Sequence, residues 1–405
     1  MSNFSDTLSW KRHKKYFERC LVEELPSPYV SLDTNRLTLV HFAVQSLDIL
    51  GCTSSLDEYR QRIIDWIYSL FVSFHVHPAS PHKTKDNINV AGFVGGTYLG
   101  PAFYNHDQQP STITNTNDTC WKDTTTSTPT LAFQHVHIAM TYTALCTLAT
   151  LGDDLSRIES KRKEIISSLA CMQQGDGSFT STTIASSSEN DMRFVYCACA
   201  ISFLLNDWSG VNRDKVVHYI KSCRSYDGSI GLLPAQEGHG GSTFCAVASL
   251  ALMGRISILD DEDGGQCWRK QLIRWCVNRQ QLHLDGGMQG RPNKAEDTCY
   301  SYWIGGTLHL LSSKSLLDRS RLQEYVISCA TPYGGFSKVK GALPDMLHSF
   351  YSLAWLSLST QDDGDTLSKP KIDNNVDDDV FLLQLLECAI GICKQRIVSY
   401  ERFCF

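Results

Sequence analysis

Residues 267–311, CWRKQLIRWCVNRQQLHLDGGMQGRPNKAEDTCYSYWIGGTLHLL, contain one complete copy of the unit that we expect to build the fold. An amphipathic segment at 267–281 is followed by the turn Asp285-Gly286-Gly287 and then by an apolar segment, rich in small residues, at 297–311. A helix with one polar face lies at a surface, whereas a helix that is apolar nearly all round is buried. The stretch therefore predicts an outer helix, a glycine turn and an inner helix.

The same order recurs along the chain. Glycine turns stand at 176–179, 227–229, 285–287 and 334–336, about 50 residues apart, and a period of that size is typical of repeat architectures. The remaining inner helices are predicted at 37–50, 137–151, 191–205, 243–253 and 345–358, and the remaining outer helices at 57–74, 155–172, 213–223 and 316–329. Inner helices this apolar favour a closed ring over an open solenoid with a wet concave face. We predict an all-α fold, an α/α toroid of six inner and six outer helices, forming one domain over 1–405.

Four segments flank or interrupt these repeats. A charged amphipathic segment at 10–24 predicts an N-terminal helix lying on the body of the protein. The Thr-, Ser- and Asn-rich stretch 105–132 is expected to be a flexible insertion, and 361–379 an acidic loop. A C-terminal helix at 380–400 is expected to close the outer ring.

Composition excludes several classes of protein. The formal net charge of −6 offers no basic surplus for nucleic acid. We find no apolar run of about 18 residues that would span a membrane, and no secretion signal at the N-terminus. The sixteen cysteines are scattered through apolar segments, as expected of buried thiols in a reducing compartment. We expect a cytoplasmic protein that is not an integral membrane protein.

The densest chemistry lies in 290–300. The acidic oxygen of Asp297 and the thiol of Cys299 are suitable zinc ligands, but two ligands are too few for a zinc site. His348, near the start of another inner helix, is the best candidate for the third ligand, and three protein ligands would leave the open position of a catalytic zinc. The alternative is a helix-capping Asp, a buried free Cys and a core His.

An anion site is predicted beside these residues. If the inner helices run parallel, their N-termini concentrate unpaired N–H groups and partial positive charge at one end of the ring, where anions bind. The glycine-rich approach around His239 opens one helix, and Arg291, Lys294 and Tyr300 accompany the next. We expect these four residues to form a diphosphate clamp; the alternative is a solvated charge cluster.

Five motifs in this order and spacing resemble the β subunits of protein prenyltransferases, which are α/α barrels of such helix pairs. The likeness runs from about residue 10 to residue 358. The motifs are Ser188-Glu189-Asn190-Asp191-Met192-Arg193-Phe194-Val195-Tyr196-Cys197, Gly238-His239-Gly240-Gly241-Ser242-Thr243-Phe244-Cys245, Arg291-Pro292-Asn293-Lys294, Asp297-Thr298-Cys299-Tyr300 and Pro344-Asp345-Met346-Leu347-His348. The resemblance implies that Asp297, Cys299 and His348 hold zinc, and that His239, Arg291, Lys294 and Tyr300 contact a diphosphate.

Among the farnesyl, geranylgeranyl type I and Rab geranylgeranyl branches, the chain resembles the type I β subunit most. Lys338 stands where the farnesyl branch has a magnesium-binding Asp, which implies that its ammonium replaces the metal and that Mg²⁺ is dispensable. Thr38 matches a bulky Trp at the floor of the farnesyl pocket and implies room for a fourth isoprene unit. Tyr351 departs from this pattern, because type I enzymes usually have Phe at that position.

The resemblance also implies the lining of a lipid and peptide pocket. Residues of the apolar interior would hold the lipid, and others match the pocket for the last residue of the peptide. The residues that would hold the lipid include Tyr142, Phe194, Tyr196, Trp303 and Phe350. Those that match the peptide pocket are His137, Ala139, Phe194 and Leu347, and Arg193 directly precedes Phe194.

The activity implied is transfer of geranylgeranyl from its diphosphate to the cysteine of a C-terminal C-a-a-X box, with X often Leu, in proteins such as small GTPases. A helical α subunit would complete a heterodimer. The alternatives are a farnesyl or Rab geranylgeranyl β subunit, and a non-catalytic α/α-barrel interaction subunit without stoichiometric zinc. A class II terpene cyclase shares the barrel but needs an Asp-x-Asp-Asp motif, and none stands at an inner helix start in this sequence.

Overall fold

The fold is a closed ring of helices, given by a computed structural model that describes residues 10–24, 32–76, 88–97, 135–184, 189–260, 262–263, 266–361 and 383–397. Within these residues, six helices form the inner layer: α2 (Arg36–Ile49), α4 (Ile138–Leu151), α6 (Met192–Leu204), α8 (Gly240–Leu252), α10 (Cys299–Leu310) and α12 (Met346–Ser359). Six form the outer layer: α1 (Trp10–Val22), α3 (Arg60–Ser69), α5 (Arg162–Met172), α7 (Arg213–Ser222), α9 (Trp268–Val277) and α11 (Arg319–Ser328). The predicted α/α toroid is confirmed.

The inner helices follow one another around the ring, and α12 packs against α2 to close it. They are buried on nearly every side, because their sequences carry small and apolar residues all round. At the seam between α12 and α2, the rings of Phe42 and Phe350 stack at 5.3 Å between centroids.

The inner helices run parallel, and their first turns are joined around one end of the ring. A backbone N–H at or just before the start of each of five inner helices donates to a carbonyl in the connection that leads to the next one. The donor and acceptor pairs are Leu37 to Gly95, Ile138 to Ser181, Met192 to Leu232, Gly240 to Gly290 and Thr298 to Lys338. We call this end the rim; it carries the positive ends of the inner helix dipoles.

Glycine turns connect the outer helices to the inner ones and pack against the neighbouring repeat. Gly177, Gly228, Gly286 and Gly334 all have positive φ, a conformation that glycine adopts without penalty. A Cβ on each would meet the next outer helix, at Lys215 of α7, Gln271 of α9, Arg321 of α11 and Arg12 of α1, respectively. The regular spacing of these glycines in the sequence therefore follows from the packing of each turn against the next outer helix.

The last of these contacts identifies α1 as the sixth outer helix. Gly334, in the turn after α11, lies against Arg12 of α1, and the N–H of Gly335 donates to Nδ1 of His13 at 3.0 Å. His13 is buried and stacks on Phe336. The ring of outer helices is thus closed by the N-terminal segment.

The C-terminal helix predicted at 380–400 is wrong over the residues that the structure describes. Strands β7 (Leu386–Glu387) and β8 (Ile392–Cys393) pair antiparallel, and helical backbone is confined to 394–397 within 383–397. We call 383–397 the C-terminal hairpin. A short apolar run fits a buried strand as well as a helix, so composition alone did not decide between them.

The C-terminal hairpin plugs the ring at the end opposite the rim. Its Gln384 N–H donates to the carbonyl of Ile49 at the end of α2, and Arg396 Nε donates to Asp48 Oδ1 at 2.9 Å. The turn of the hairpin reaches further up the axis, where the hydroxyls of Tyr142 and Tyr302 donate to the carbonyls of Ile390 and Cys388.

The remaining strands are short hairpins in the connections. They are β1 (Phe71–Val76) with β2 (Ile88–Phe93), β3 (Glu262–Asp263) with β4 (Gln266–Cys267), and β5 (Phe336–Ser337) with β6 (Pro344–Asp345), each pair antiparallel. The outer helix predicted at 57–74 ends at Ser69, because β1 follows. The predicted insertion 105–132 and nearly all of the acidic loop 361–379 lie outside the described residues. In the part of the chain that is described, no helix is both long and apolar enough to cross a membrane.

Candidate metal centre and adjoining cavity

Three side chains of different chemistry meet at the rim between α10 and α12. Asp297 precedes α10, Cys299 begins it, and His348 lies in the first turn of α12. One carboxylate oxygen, the Cys299 sulfur and one ring nitrogen of His348 all lie within 4.8 Å of one another. The structure therefore brings the predicted ligands together, as a set of one oxygen, one sulfur and one nitrogen donor.

Local hydrogen bonds fix the orientation of this group. Oδ1 of Asp297 accepts from the Cys299 N–H at 2.9 Å and lies 3.2 Å from Nε2 of His348. Asp345 caps α12 by accepting from the His348 N–H at 2.9 Å, and its other oxygen lies 2.6 Å from Nδ1 of the same residue. With Nδ1 bound to a carboxylate, Nε2 is the nitrogen directed toward Asp297 and Cys299.

The electrostatics of the group favour a cation. Burial lowers the pKa of His348, but its hydrogen bonds to Asp297 and Asp345 outweigh burial and raise that pKa to about 9. Burial, and next the charge of Asp297, raise the pKa of the Cys299 thiol well above its ordinary value. Two carboxylates beside a thiol thus hold a positive charge in this pocket. A bound metal cation would take that place and favour the thiolate.

His239 and Tyr300 form a second cluster beside these three residues, because Tyr300 follows Cys299 on α10. Nδ1 of His239 accepts from the Gly241 N–H at 3.1 Å, and its Nε2 lies 2.9 Å from the hydroxyl of Tyr300. Because Nδ1 accepts, we assign the ring proton to Nε2, which then donates to the Tyr300 oxygen. The Tyr300 hydroxyl proton is left to donate elsewhere. Burial, and next the charge of Arg291, lower the pKa of His239, so the ring is neutral near pH 7.

The three predicted cationic side chains differ in their partners and exposure. Nη1 of Arg291 forms a 2.9 Å ion pair with Glu237, at the edge of the cavity described below. The ammonium of Lys338 lies 3.6 Å from Asp297 and its side chain is 61% exposed, so it can reach both the candidate metal ligands and solvent. Lys294 is exposed and makes no ion pair with any residue that the structure describes.

A cavity of about 730 Å³ opens at the rim and extends into the ring. Charged side chains lie at its mouth: Arg193, Glu237 and Arg291. Aromatic and small side chains form the rest of its walls; they include Thr38, Phe42, Ala139, Tyr142, Tyr196, Phe244, Tyr302, Trp303, Phe350 and Tyr351. A polar mouth leading to an apolar interior suits a molecule with a charged head and a hydrocarbon tail.

The structure places eight of the predicted pocket residues in the cavity wall: Thr38, Ala139, Tyr142, Arg193, Tyr196, Trp303, Phe350 and Tyr351. Thr38 lies in the first turn of α2, with its hydroxyl directed to the sulfur of Met140. Its implied place at the floor of the lipid pocket stays a prediction.

The other predicted pocket residues lie beside the cavity wall. His137 caps α4 and packs edge-on against Phe194, with 6.2 Å between ring centroids, while Leu347 is 40% exposed at the rim next to His348. Arg193 makes a bidentate pair with Asp191, the cap of α6, and covers the Phe194 ring.

Reasoning from sequence missed three contributors to the site. Asp345 orients His348. It could have been found from the sequence, because it lies three residues before a candidate ligand at a helix start. Glu237 pairs with Arg291 across 54 residues of sequence, and no local pattern indicates such a pair. Gly391 lines the cavity from the C-terminal hairpin.

Comparison with known proteins gives a family match to the prenyltransferase alpha-alpha toroid domain over residues 8–377. The chain is 39% identical over 350 residues to the geranylgeranyl transferase type-1 subunit beta of Arabidopsis thaliana, covering 86% of this chain and 84% of that protein. It is 38% identical over 348 residues to the protein of the same name from Dictyostelium discoideum, covering 85% and 88%.

A solved structure has the same fold. It is Candida albicans protein geranylgeranyltransferase-I complexed with GGPP, with a TM-score of 0.69 over 98% of this chain and 99% of that chain. Its sequence identity is 22%, so this likeness concerns the fold alone.

The chain therefore belongs to the prenyltransferase α/α toroid family. Within that family it is a relative of the β subunits of type I geranylgeranyltransferases, at 38 to 39% identity over most of its length. The predicted resemblance, including its type I branch, is confirmed.

Proposed function

We propose that this chain is the catalytic β subunit of a heterodimeric protein geranylgeranyltransferase type I. It would transfer geranylgeranyl from geranylgeranyl diphosphate to the cysteine of a C-terminal C-a-a-X box. The observation that carries this proposal is the position of the Asp297, Cys299 and His348 donors at the rim, beside the charged mouth of an apolar cavity. The names of the Arabidopsis and Dictyostelium relatives support the type I branch.

The metal proposed for the three donors is zinc. One thiolate, one imidazole and one carboxylate are ligands that zinc prefers, and three protein ligands leave a position for a substrate. When bound, zinc would supply a positive charge that lowers the pKa of a substrate thiol, so that a thiolate nucleophile exists near pH 7. Asp345 would hold His348 in the orientation that this site needs.

The residues at the mouth would stabilise the charge that develops on the departing diphosphate. Arg291 supplies a guanidinium, and the Tyr300 hydroxyl is oriented as a donor by neutral His239. Lys294 lies on the same connection and would join the clamp once an anion is present. Removing one donor of this kind typically lowers the rate by about 10² to 10³.

The ammonium of Lys338 would replace a magnesium ion at the departing diphosphate. Its ammonium is directed to Asp297 at 3.6 Å and is largely exposed at the rim, so it can move to a diphosphate bound at the mouth. This position supports a reaction that needs no Mg²⁺.

The apolar interior would hold the lipid. Its aromatic walls and its volume suit a hydrocarbon chain and exclude water from the reacting groups. Thr38 in the wall favours the C20 lipid, whereas Tyr351 favours the farnesyl branch as the second candidate. His137, Phe194 and Leu347, which lie beside the wall at the rim, are proposed to contact the end of the peptide.

The proposed partners are a prenyltransferase α subunit and C-a-a-X proteins such as small GTPases. Large apolar side chains project from successive turns at the rim: Tyr226 is 97% exposed, Leu284 54% and Tyr333 70%. Such a row is unusual for a surface that faces only water, and it supports an α subunit bound there. The fourteen cysteines among the described residues are free thiols, which supports a cytoplasmic location.

The experiment uses the chain co-expressed with an α subunit, supplied with zinc and with Mg²⁺ chelated. A peptide ending Cys-a-a-Leu is offered with C20 and C15 diphosphates in competition. We expect transfer of the C20 group without added Mg²⁺. Preferred transfer of C15 would favour the farnesyl branch, a strict need for Mg²⁺ would contradict the role of Lys338, and no transfer with either lipid would contradict the proposed function.

A further inference from the structure

We propose that the turn of the C-terminal hairpin, at Gly391, is the floor that limits how long a prenyl chain the cavity accepts. Gly391 would be a specificity-determining position for the C20 lipid, separate from Thr38 in the wall. This inference rests on the proposed function and deepens it. It assigns a role in substrate selection to a segment distant in sequence from every residue of the metal and diphosphate sites.

The hairpin is positioned to act as a fixed floor. Buried contacts join it to the ends of α2 and α12, through Arg396 with Asp48 and through Ser357 with the Gln384 carbonyl. Asp48 is 1% exposed, and removing one partner from a buried ion pair is costly. A lipid tail pressing on the turn would therefore meet a surface that does not easily move.

The floor is also chemically suited to a hydrocarbon. Carbonyl groups in a turn would ordinarily repel an alkyl chain, because an unpaired buried acceptor is costly. The carbonyls of Cys388 and Ile390 are satisfied instead by the hydroxyls of Tyr302 and Tyr142, at 3.0 and 2.9 Å. Gly391 follows Ile390, lies near both tyrosine hydroxyls and lines the cavity.

Gly391 keeps this end of the cavity open. A Cβ built on it would meet only the hydroxyls of Tyr142 and Tyr302 within 4 Å, at 3.6 and 3.8 Å. A larger side chain would therefore extend into the cavity without first colliding with the protein. It would shorten the space available to a lipid whose diphosphate is held at His239 and Arg291.

The test compares Gly391→Ala and Gly391→Leu with the unmodified heterodimer. Gly391 has φ of +80°, so any side chain there also strains the backbone. Gly152→Ala is the matched control, since Gly152 has the same φ and no atom within 4 Å of a Cβ, at the exposed end of α4. For each heterodimer, kcat/KM is measured with C20 and with C15 diphosphate.

We expect Gly391→Leu to lower the C20 to C15 ratio of kcat/KM at least tenfold, with a smaller fall for Gly391→Ala and no change for Gly152→Ala. An unchanged ratio in Gly391→Leu would overturn the inference. If that variant does not assemble, Gly391→Ala decides: a ratio lowered threefold or more supports the floor, and a smaller change overturns it. Absence of transfer by the unmodified heterodimer would instead contradict the proposed function.

Discussion

At the scale of single residues, the candidate metal centre includes Asp345 as well as its three candidate ligands. Its carboxylate both caps α12 and binds Nδ1 of His348 at 2.6 Å, so the ring cannot turn without losing that bond. Partners of this kind commonly set the affinity of a site, because they fix the tautomer and orientation of the ligand.

We predict that Asp345→Asn weakens zinc binding by about 10- to 100-fold, measured by competition with a chelator. Asn caps helices as well as Asp does, so the substitution removes the carboxylate and keeps the cap. Asp318→Asn is the control, because Asp318 caps α11 in the same way, by accepting from the Arg321 N–H, and lies at no candidate ligand. Equal zinc affinities in the two variants would contradict the role of Asp345. A His348→Ala protein that kept full zinc would remove His348 from the ligand set.

His239 and Tyr300 are predicted to act as a unit on the diphosphate. Because their side chains lie 2.9 Å apart, His239→Ala removes both its own contact and the group that orients the Tyr300 hydroxyl. Tyr300→Phe and His239→Ala should each lower kcat, and the double variant should lose less than the product of the two effects. The double-mutant cycle should give a coupling of about 0.5 to 3 kcal/mol. Fully multiplicative losses would show that the two residues act separately.

Residues of the metal centre could be predicted because their chemistry is local. Asp297 and Cys299 are two residues apart, and His348 stands at the equivalent helix start. Pairings such as Glu237 with Arg291 depend on which side chains meet across the rim, and that is decided by the ring as a whole.

At the scale of elements, the N-terminal helix α1 closes the outer ring through a buried histidine. The neutral ring of His13 accepts a hydrogen bond from Gly335, and burial lowers its pKa to about 4. Burial also lowers the pKa of His41 to about 3 and that of His137 to about 4.

These lowered pKa values predict that the folded protein loses stability as the pH falls from about 6.5 to 4. In that window the unfolded chain binds protons that the folded chain cannot, so stability is fully present above pH 6.5 and falls as the pH falls. His13→Gln should reduce the slope of the unfolding free energy against pH by up to the contribution of one proton. The slope is followed through the thermal midpoint of the heterodimer across this pH range. His218→Gln is the control, because His218 is exposed on α7, and it should keep the parent slope. A His13→Gln slope equal to that of the parent would contradict the assignment.

Element prediction succeeded for the inner helices and failed for the segment after 380. The inner helices carry apolar residues all round for twelve or more residues, which leaves little choice of structure. The segment after 380 is as long and nearly as apolar, but Gln384, Glu387 and Gly391 interrupt it. Gly391 has φ of +80°, which helical backbone does not allow, and the strands on either side of it fit the open end of the ring. The sixth outer helix could not be assigned from order along the chain, since α1 precedes the first inner helix.

At the scale of the whole molecule, the parallel inner helices gather helix N-termini, cations and metal ligands at one end. The opposite end is closed by the C-terminal hairpin. Among the described residues the cavity opens at the rim, so a partner that binds there also borders the site.

We predict that the triple substitution Tyr226→Ser, Leu284→Ser and Tyr333→Ser weakens binding of the α subunit at least tenfold. These side chains lie in the turns that follow α7, α9 and α11, and apolar anchors dominate most interfaces. Affinity is measured by titrating labelled α subunit, with the helical circular dichroism signal as the check on folding. Leu316→Ser is the control, because Leu316 is 57% exposed at the other end of the ring. Unchanged affinity in the triple variant would exclude this part of the rim from the interface.

The most direct test of the account is X-ray absorption at the zinc edge of the purified heterodimer, alone and with a peptide ending Cys-a-a-Leu. We predict one zinc with a single sulfur ligand at about 2.3 Å in the free protein, from Cys299, and two sulfur ligands once the peptide is bound. Absence of zinc, or a sulfur count that the peptide leaves unchanged, would contradict the claim that Asp297, Cys299 and His348 form an open metal site for a substrate thiolate.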